Sequence, residues 1–356
     1  SYRNPVASAA LQTALRPEEA VSTAVFETPT SYVACTPDLD TLNFVDLDFL
    51  EHSQEYFVHE YIVTNLSAAR EALEKTPFRG RWTCTARGCK YHCSYCGGSK
   101  ESHLRLAGRN GIIPRSPDKV VGDLKRMQSM GIIQASLSYD IAVLGEDYWR
   151  AFFSLLRASG VKIGVYNEFF QIPTSALIDD YARSTVMAQS CVALSPLSGN
   201  ERVRRLNGKH FSNDQFFDIL DALSHHRFYL FIYFSLNLPG ETTETFAETL
   251  ELAEAVYNFY PRSLLKILNT VHTIDPVSPM NLYPEKYGIQ SSMSTFMDFY
   301  NYCRDTRRGG PGARTGLYRG YVLSDPAARS LEDMANAWDR ARIGRESSWW
   351  PVPPSW

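Results

Sequence analysis

From Arg79 onward, short apolar runs alternate with helical stretches six times, and that alternation restricts what the chain can fold into. The expected strands are Trp82–Thr85, Ile132–Leu137, Val161–Tyr166, Val192–Leu194, Phe228–Leu236 and Leu264–Val271. One helix is expected to open at Ser116-Pro117, with serine as cap and proline at the first helical position. Others are expected over Tyr148–Ala158, Ser175–Arg183, Asp214–His225 and Thr243–Tyr257. Repeats of roughly 30 to 40 residues, each with one strand and one helix, are parallel βαβ units. Runs such as Phe231-Ile232-Tyr233-Phe234 are apolar without alternation, as strands covered on both faces must be. The simplest closure is an α/β fold, a partial (β/α)6 TIM-like barrel with its active groups at the carboxyl ends of the strands. The alternative is an open doubly wound sheet. No Gly-x-Gly-x-x-Gly opens a helix, so a dinucleotide fold has little support.

Around this core the chain changes character. Residues 1–76 are expected to form a linker or wrap, 77–290 the barrel, and 291–356 a helical extension. Ser1 to Thr41 scatters Pro, Thr and Ser without a period, and Asp40 to Asp46 begins a more ordered stretch. A start without methionine suggests an upstream segment that has been cut away. Arg307 to Gly312 is expected to be a flexible basic loop and Leu331 to Arg342 a helix, before a Pro-rich tail with Trp349, Trp350 and Trp356. Lys+Arg 36 against Asp+Glu 39 gives a net charge of −3, and so no electrostatic case for a nucleic-acid or acidic-membrane partner. No apolar run approaches the roughly 20 residues of a membrane span. Clustered thiols with no export signal point to a reducing, cytoplasmic setting.

The chemistry is carried by Gly88-Cys89-Lys90-Tyr91-His92-Cys93-Ser94-Tyr95-Cys96-Gly97-Gly98-Ser99. Cys89, Cys93 and Cys96 follow the spacing C-x3-C-x2-C on a loop at the end of the first expected strand, so three thiolates can converge on one metal centre. Zinc and iron–sulfur sites usually take four protein ligands. Three thiolates on a four-iron cluster leave one iron open to a small molecule. Zinc would need His92 or Cys84 as a fourth ligand. Its sites usually pair two separated couples, and no second couple follows. Disulfides suit short secreted chains, whereas this one has 356 residues and 7 Cys. Spacing, count and the adjacent glycines favour iron–sulfur. Cys35, Cys191 and Cys303 stand alone and are expected to be small buried residues.

The loop, with aromatic Tyr95 before its third cysteine, resembles that of the radical S-adenosylmethionine (SAM) enzymes. The likeness extends to Ser195-Pro196-Leu197-Ser198-Gly199 with Glu201 and Arg204-Arg205-Leu206-Asn207-Gly208-Lys209. That stretch is similar to the family's fourth-strand motif, although Leu197 stands where an acid is usual. Asn237-Leu238-Pro239-Gly240-Glu241-Thr242 looks like the fifth-strand signature. Asp275 to Met280 and Tyr283 to Ile289 resemble the region after the sixth strand. Thr85 to Cys89, Cys96 to Ser99 and the approach segment Leu39 to Asp48 resemble the subgroup that carries an N-terminal cobalamin-binding domain. No Asp-x-His-x-x-Gly cobalamin signature occurs here, which suggests an excised core.

The resemblance implies a [4Fe-4S] cluster on Cys89, Cys93 and Cys96, with SAM chelated by the fourth iron and cleaved to a 5′-deoxyadenosyl radical that takes hydrogen from a substrate. With cobalamin, held by a domain outside this chain, C-methylation is the expected outcome. Without it, dehydrogenation, epimerisation or rearrangement is expected. A rival of another kind is a non-catalytic zinc or Fe-S module. Tyr95 is expected beside SAM, and Gly97 and Gly98 where backbone must approach its methionine part. Ser138 and Asp140 are expected at the SAM amino group, Glu168 with Asn167 at the ribose, and Ser195 and Ser198 at the ribose or carboxylate. Arg205 or Lys209 is expected to pair with the carboxylate, and Leu238 to offer backbone to adenine. His225-His226 is expected to be a solvated helix end and His272 a core histidine. Tyr318 and Tyr321 are further candidate hydrogen donors. Expected partners are a small-molecule or peptide substrate and an electron donor such as flavodoxin or ferredoxin. Methylthiotransferases acting on RNA usually add a basic domain after the barrel, and the short tail here argues against one.

Overall fold

The computed structural model describes residues 38–47, 49–53, 56, 57, 60, 79–308, 320–341 and 343. Most of the expected N-terminal wrap, Tyr318 and the tail tryptophans lie outside these residues. Strand β1 (Gly80–Thr83) is followed by an antiparallel hairpin, β2 (Ala86–Cys89) and β3 (Gly111–Pro114), with α1 (Lys100–Ala107) between its arms. Next come α2 (Pro117–Ser129), β4 (Gln134–Leu137), α3 (Glu146–Ser159), β5 (Gly164–Phe169), α4 (Ser175–Ser184) and β6 (Cys191–Leu197). Two helices, α5 (Glu201–Leu206) and α6 (Asn213–His225), lead to β7 (Tyr229–Leu236), and α7 (Thr243–Phe259) leads to β8 (Leu265–Val271). The six-stranded sheet runs β1-β4-β5-β6-β7-β8, and every neighbouring pair is parallel. This is the partial (β/α)6 barrel, and the carboxyl ends of its strands share one mouth.

Local signals explain most boundaries. Thr174 caps α4 by accepting from the Leu177 N–H, and Ser212/Gln215 and Thr242/Thr245 form capping boxes at α6 and α7. Ser116 stands at the N-cap of α2 with Pro117 after it, but its side chain makes no capping bond. Instead its N–H donates to Asp40 Oδ1 (2.9 Å), which ties the approach segment to the barrel. Outward strand residues pack on helix faces such as Val120, Leu124 and Met127 of α2 and Phe152, Phe153 and Leu156 of α3. Each fully buried side chain of this kind contributes about 1.5–3 kcal/mol. The lumen is lined by Tyr166, Cys191 and Ala193, with Tyr229, Phe231 and Tyr233 packed against them.

Three departures from expectation have physical causes. The cysteine loop does not follow β1 directly, because the β2–β3 hairpin intervenes. Its four-residue arms show no apolar alternation, and it is pinned where Gly88 (φ +97°) passes so close to the Gly111 carbonyl that a Cβ has no room. Strand β6 runs three residues past Leu194 with a register shift before Leu197, since Pro196 has no N–H for the ladder. Arg307 and Arg308 end the helix α9 (Phe296–Arg308) rather than beginning a loop.

Beyond β8, a short helix α8 (Pro279–Leu282) precedes β9 (Ile289–Gln290), which pairs antiparallel with β10 (Val322–Leu323). The last helix, α10 (Leu331–Ala341), puts Met334 and Trp338 into the main core, where Trp338 meets Phe234 at 5.7 Å. At least this part of the extension therefore belongs to the barrel's own core. No described helix is long and apolar enough to cross a membrane.

A buried cation fixes the β6–α5–α6 corner. Arg204, 0% exposed, donates from Nε and Nη2 to the Ser198 carbonyl (3.1 and 2.8 Å), from Nη1 to Phe211 O (3.1 Å), and also to Asn213 Oδ1. Replacing it with methionine keeps the bulk but leaves those acceptors without a donor. Arg204→Met is expected to lower unfolding free energy by about 3 kcal/mol in denaturant titrations.

Candidate functional site

The cysteine loop lies across the barrel mouth and is held from three directions. On the β6 side, Ser94 Oγ donates to Asn207 Oδ1 (2.6 Å), and the Asn207 amide donates to Val203 O and Pro239 O (2.9 and 3.0 Å). Gly208 (φ +90°) packs on Cys93, where a Cβ would sit 2.6 Å from Cys93 Cα. Beyond β8, the Asp275–Met280 turn takes hold. The Gly97 N–H donates to Asp275 Oδ2 (3.0 Å), the Met280 N–H to Ser94 O (2.8 Å), and Ser102 Oγ to Val277 O (2.8 Å). At the β4 end, Lys90 Nζ donates to Val143 O (3.4 Å). Tyr95 is the central bolt. It meets His272 edge-on at 4.3 Å and packs against the buried group Leu197, Val203 and Leu238.

The three thiols lie near enough to influence one another electrostatically. Burial and then the neighbouring sulfurs push Cys93 up and Cys96 up to about 11. Ligand thiols must lose these protons on binding metal. The Tyr91 and Gly98 N–H groups donate to Cys89 and Cys96 sulfur (3.4 and 3.3 Å), an arrangement suited to thiolates. Neither of the two expected fourth ligands is turned toward the other thiols among the described residues. His92 is exposed, and the Cys84 thiol is turned to Ala86 O (3.5 Å). Among the described residues, no three His, Cys, Asp or Glu side chains are gathered for a single ion. Three thiols on one short loop fit a polynuclear cluster with one corner left to another ligand.

Below the loop opens a cavity of about 350 Å³ lined by Tyr95, Glu168, Ser195, Leu197, Tyr233, Ser235, Thr270, Val271, His272 and Thr273. Its hydroxyls and one carboxylate suit a polar, hydroxyl-bearing ligand, and Ser195 Oγ lies 3.4 Å from Glu168 Oε1. Burial, then Lys209, takes His272 down to about 3, so its ring is neutral. Of the expected SAM contacts, this cavity gathers Tyr95, Glu168 and Ser195. It also contains Tyr233, Ser235, Thr270 and Thr273, which sequence reasoning missed, and His272, which was expected only to pack. The period of two along β7 and β8 is the signal that could have found them.

The other expected contacts lie elsewhere, each for a stated reason. Ser138 is exposed beside the β1 end, its N–H given to Thr83 O (3.0 Å). Asp140 is buried and accepts from the Ala142 and Phe170 N–H groups (2.9 and 2.8 Å), bracing β4 to β5, and burial pushes it up to about 7. Ser198 turns outward to Thr249 Oγ1 on α7 (3.1 Å). Arg205 points to solvent and pairs with Glu201 (3.3 Å), while Arg204 takes the inward place. Leu238 gives its N–H to Glu241 Oε2 (3.3 Å), and its carbonyl accepts from the Glu241 N–H (3.1 Å). Gly97 is needed by the fold itself, since a Cβ would come within 2.9 Å of the Pro276 carbonyl. Gly98 is exposed, and a Cβ there would meet only Cys96 sulfur, at 3.6 Å. Leu197, in place of the family's acid, packs on Tyr95. His225 is exposed, and His226, 26% exposed, meets Asp179 through its Nε2 (2.7 Å). Tyr321 is buried with its hydroxyl on the Asn237 carbonyl.

Glu241 carries a measurable signature. It is 0% exposed, Oε2 accepts from the Leu238 N–H (3.3 Å), Oε1 has no hydrogen-bond partner, and burial pushes its pKa up to about 8. A raised carboxyl pKa means the folded state favours the neutral form. Stability is thus full below the unfolded pKa near 4.5 and falls as pH rises to about 8. Glu241→Gln keeps an acceptor without the charge. Its melting temperature relative to the native chain is expected to rise steadily from pH 5 to pH 9, by the equivalent of a few kcal/mol at the alkaline end.

A family profile described as "Radical SAM superfamily" matches residues 83–253, the stretch that contains the loop and most of the barrel. Those residues carry a radical SAM domain. It is 25% identical over 221 residues to the tRNA-2-methylthio-N(6)-dimethylallyladenosine synthase of Clavibacter michiganensis subsp. michiganensis, covering 58% of this chain and 40% of that protein. A Thermus thermophilus protein of the same name is 25% identical over 182 residues, 48% of this chain and 37% of its own. The chain therefore spans about two fifths of the length of these curated relatives. Among solved structures, the cobalamin-dependent SAM radical enzyme OxsB shares the fold at TM-score 0.50 and 14% identity, over 77% of this chain and 43% of that one. The radical SAM family's cofactors are a [4Fe-4S] cluster and SAM, and the thiol set and adjoining cavity fit them.

Proposed function

We propose that this radical SAM chain is the core of an enzyme that cleaves SAM reductively and functionalises a carbon of a small-molecule or peptide substrate by hydrogen abstraction. The supporting observation is the contiguity of the three-thiol loop with the polar cavity, joined through Tyr95. When bound, the cluster and SAM supply the electron and the 5′-deoxyadenosyl radical. Cys89, Cys93 and Cys96 hold the cluster, and the anchors at Asn207, Gly208 and Asp275 keep them in place. Glu168 and Ser195 orient the ribose hydroxyls. Tyr95, Leu197 and Leu238 keep water from the loop's inner side. The downstream outcome we favour is methyl transfer from cobalamin held by a separate domain, in keeping with the approach segment and the fold shared with OxsB.

The electron donor we propose is an acidic carrier protein. Exposed Arg87 and Lys90 stand in the β2–loop segment and exposed Arg202 and Arg205 on α5, whereas α6 and α7 carry Asp214, Asp218, Asp221, Glu244, Glu248, Glu251 and Glu254 without one Lys or Arg. That segregation steers an acidic surface toward the cluster and opposes a polyanion along the outer wall. The deciding experiment is anaerobic reconstitution with iron and sulfide, reduction, and quantification of SAM products. 5′-Deoxyadenosine accompanied by cobalamin-dependent S-adenosylhomocysteine supports the full reading. 5′-Deoxyadenosine alone supports a cobalamin-free reaction. One tightly held zinc and no SAM cleavage overturns the enzyme reading.

A further inference from the structure

We infer that Lys209 is a positioning residue whose buried ammonium raises the reduction potential of the cluster held by Cys93. This rests on the reading that the three thiols hold a redox-active cluster. Lys209 is only 4% exposed, and its Nζ donates to Phe170 O (2.8 Å). The preceding residue, Gly208, packs directly on Cys93, and its carbonyl lies 3.9 Å from the Cys93 sulfur. Gln171 clamps the same turn, donating to Gly208 O (2.8 Å) and accepting from the His210 N–H (2.7 Å). The chain thus fixes a cation beside Cys93 and shields it from solvent.

Its surroundings leave that charge largely effective. Lys209 interacts electrostatically with Cys93, Asp140 and His272. His272 is neutral, and burial holds Asp140 toward its neutral form, which leaves less negative charge to offset Lys209. Reduction adds one negative charge to the cluster. A fixed cation in a poorly screened interior stabilises that reduced state more than the oxidised one. The effect operates before SAM arrives, which separates it from pairing with the SAM carboxylate.

The test is a reductive titration monitored by electron paramagnetic resonance on reconstituted protein without SAM. It compares the native chain with Lys209→Met, Lys209→Gln and Lys209→Arg at matched iron and sulfide content. Gln retains a donor toward Phe170, so agreement between the two neutral variants excludes damage peculiar to one of them. The expected result is a midpoint shifted to more negative potential in Met and Gln and restored in Arg. Neutral variants with the native midpoint and weakened SAM binding would overturn the inference and make Lys209 a SAM ligand only. Failure of the native chain to take up a cluster would instead count against the underlying functional reading.

Discussion

Cys93→Ala is expected to reduce 5′-deoxyadenosine formation to below about one hundredth of the native level, with a matching loss of bound iron. Cys93 sits at the junction of the loop's anchors. It packs on Gly208, adjoins Ser94 with its bond to Asn207, and is electrostatically coupled to Cys89 and Cys96. Without Cys93 only two loop thiols would remain to hold the cluster, and the Cys84 thiol is turned to Ala86 O. Cys84→Ala is the control. That thiol is 3% exposed and turned to Ala86 O, so its loss is expected to cost about 1 kcal/mol of stability and no iron. Iron content, sulfide content and SAM cleavage measured side by side decide the matter. If Cys84→Ala lost metal as completely as Cys93→Ala, a four-ligand site would replace the three-thiol reading.

Gly208→Ala is expected to abolish cluster incorporation although it changes no ligand. Two penalties coincide at this position. A φ of +90° is strained for any L-residue, at about 1–2 kcal/mol. The new Cβ would also lie 2.6 Å from Cys93 Cα and 3.1 Å from its nitrogen, contacts that only a displaced loop relieves. Gly160→Ala isolates the first penalty, because Gly160 has φ +70° and nothing within 4 Å of a new Cβ. The control is expected to lose about 1–2 kcal/mol in thermal unfolding while retaining full iron. Equal iron loss in both variants would assign the effect to general destabilisation rather than to the contact with Cys93.

The barrel was legible because its strands are continuous apolar runs and its helices carry caps such as Thr174 and Ser212, both local signals. The hairpin of β2 and β3 was not, because its stability comes from closure around the loop rather than from a pattern in its arms. The candidate contacts divided along the same line. Glu168 and Ser195 meet at the cavity because they stand at strand ends on the lumen side. Ser198 and Arg205 were misplaced because the β6 bulge after Pro196 and the short α5 decide which neighbour faces inward, and that choice turns on packing against Thr249 and Phe211.

The sequence by itself determined the succession of the barrel's strands and helices, the three-cysteine loop and its likeness to the radical SAM family, because each is written in residue type and short spacing. Only the tertiary structure decided what holds those cysteines. Asn207, Gly208, Asp275 and Met280 are remote from the loop in sequence, and although they stand in family-like motifs, only the fold shows that they anchor it. A parallel barrel brings the ends of all its strands to one mouth. Residues more than a hundred positions apart therefore become neighbours there, through contacts that no local window contains.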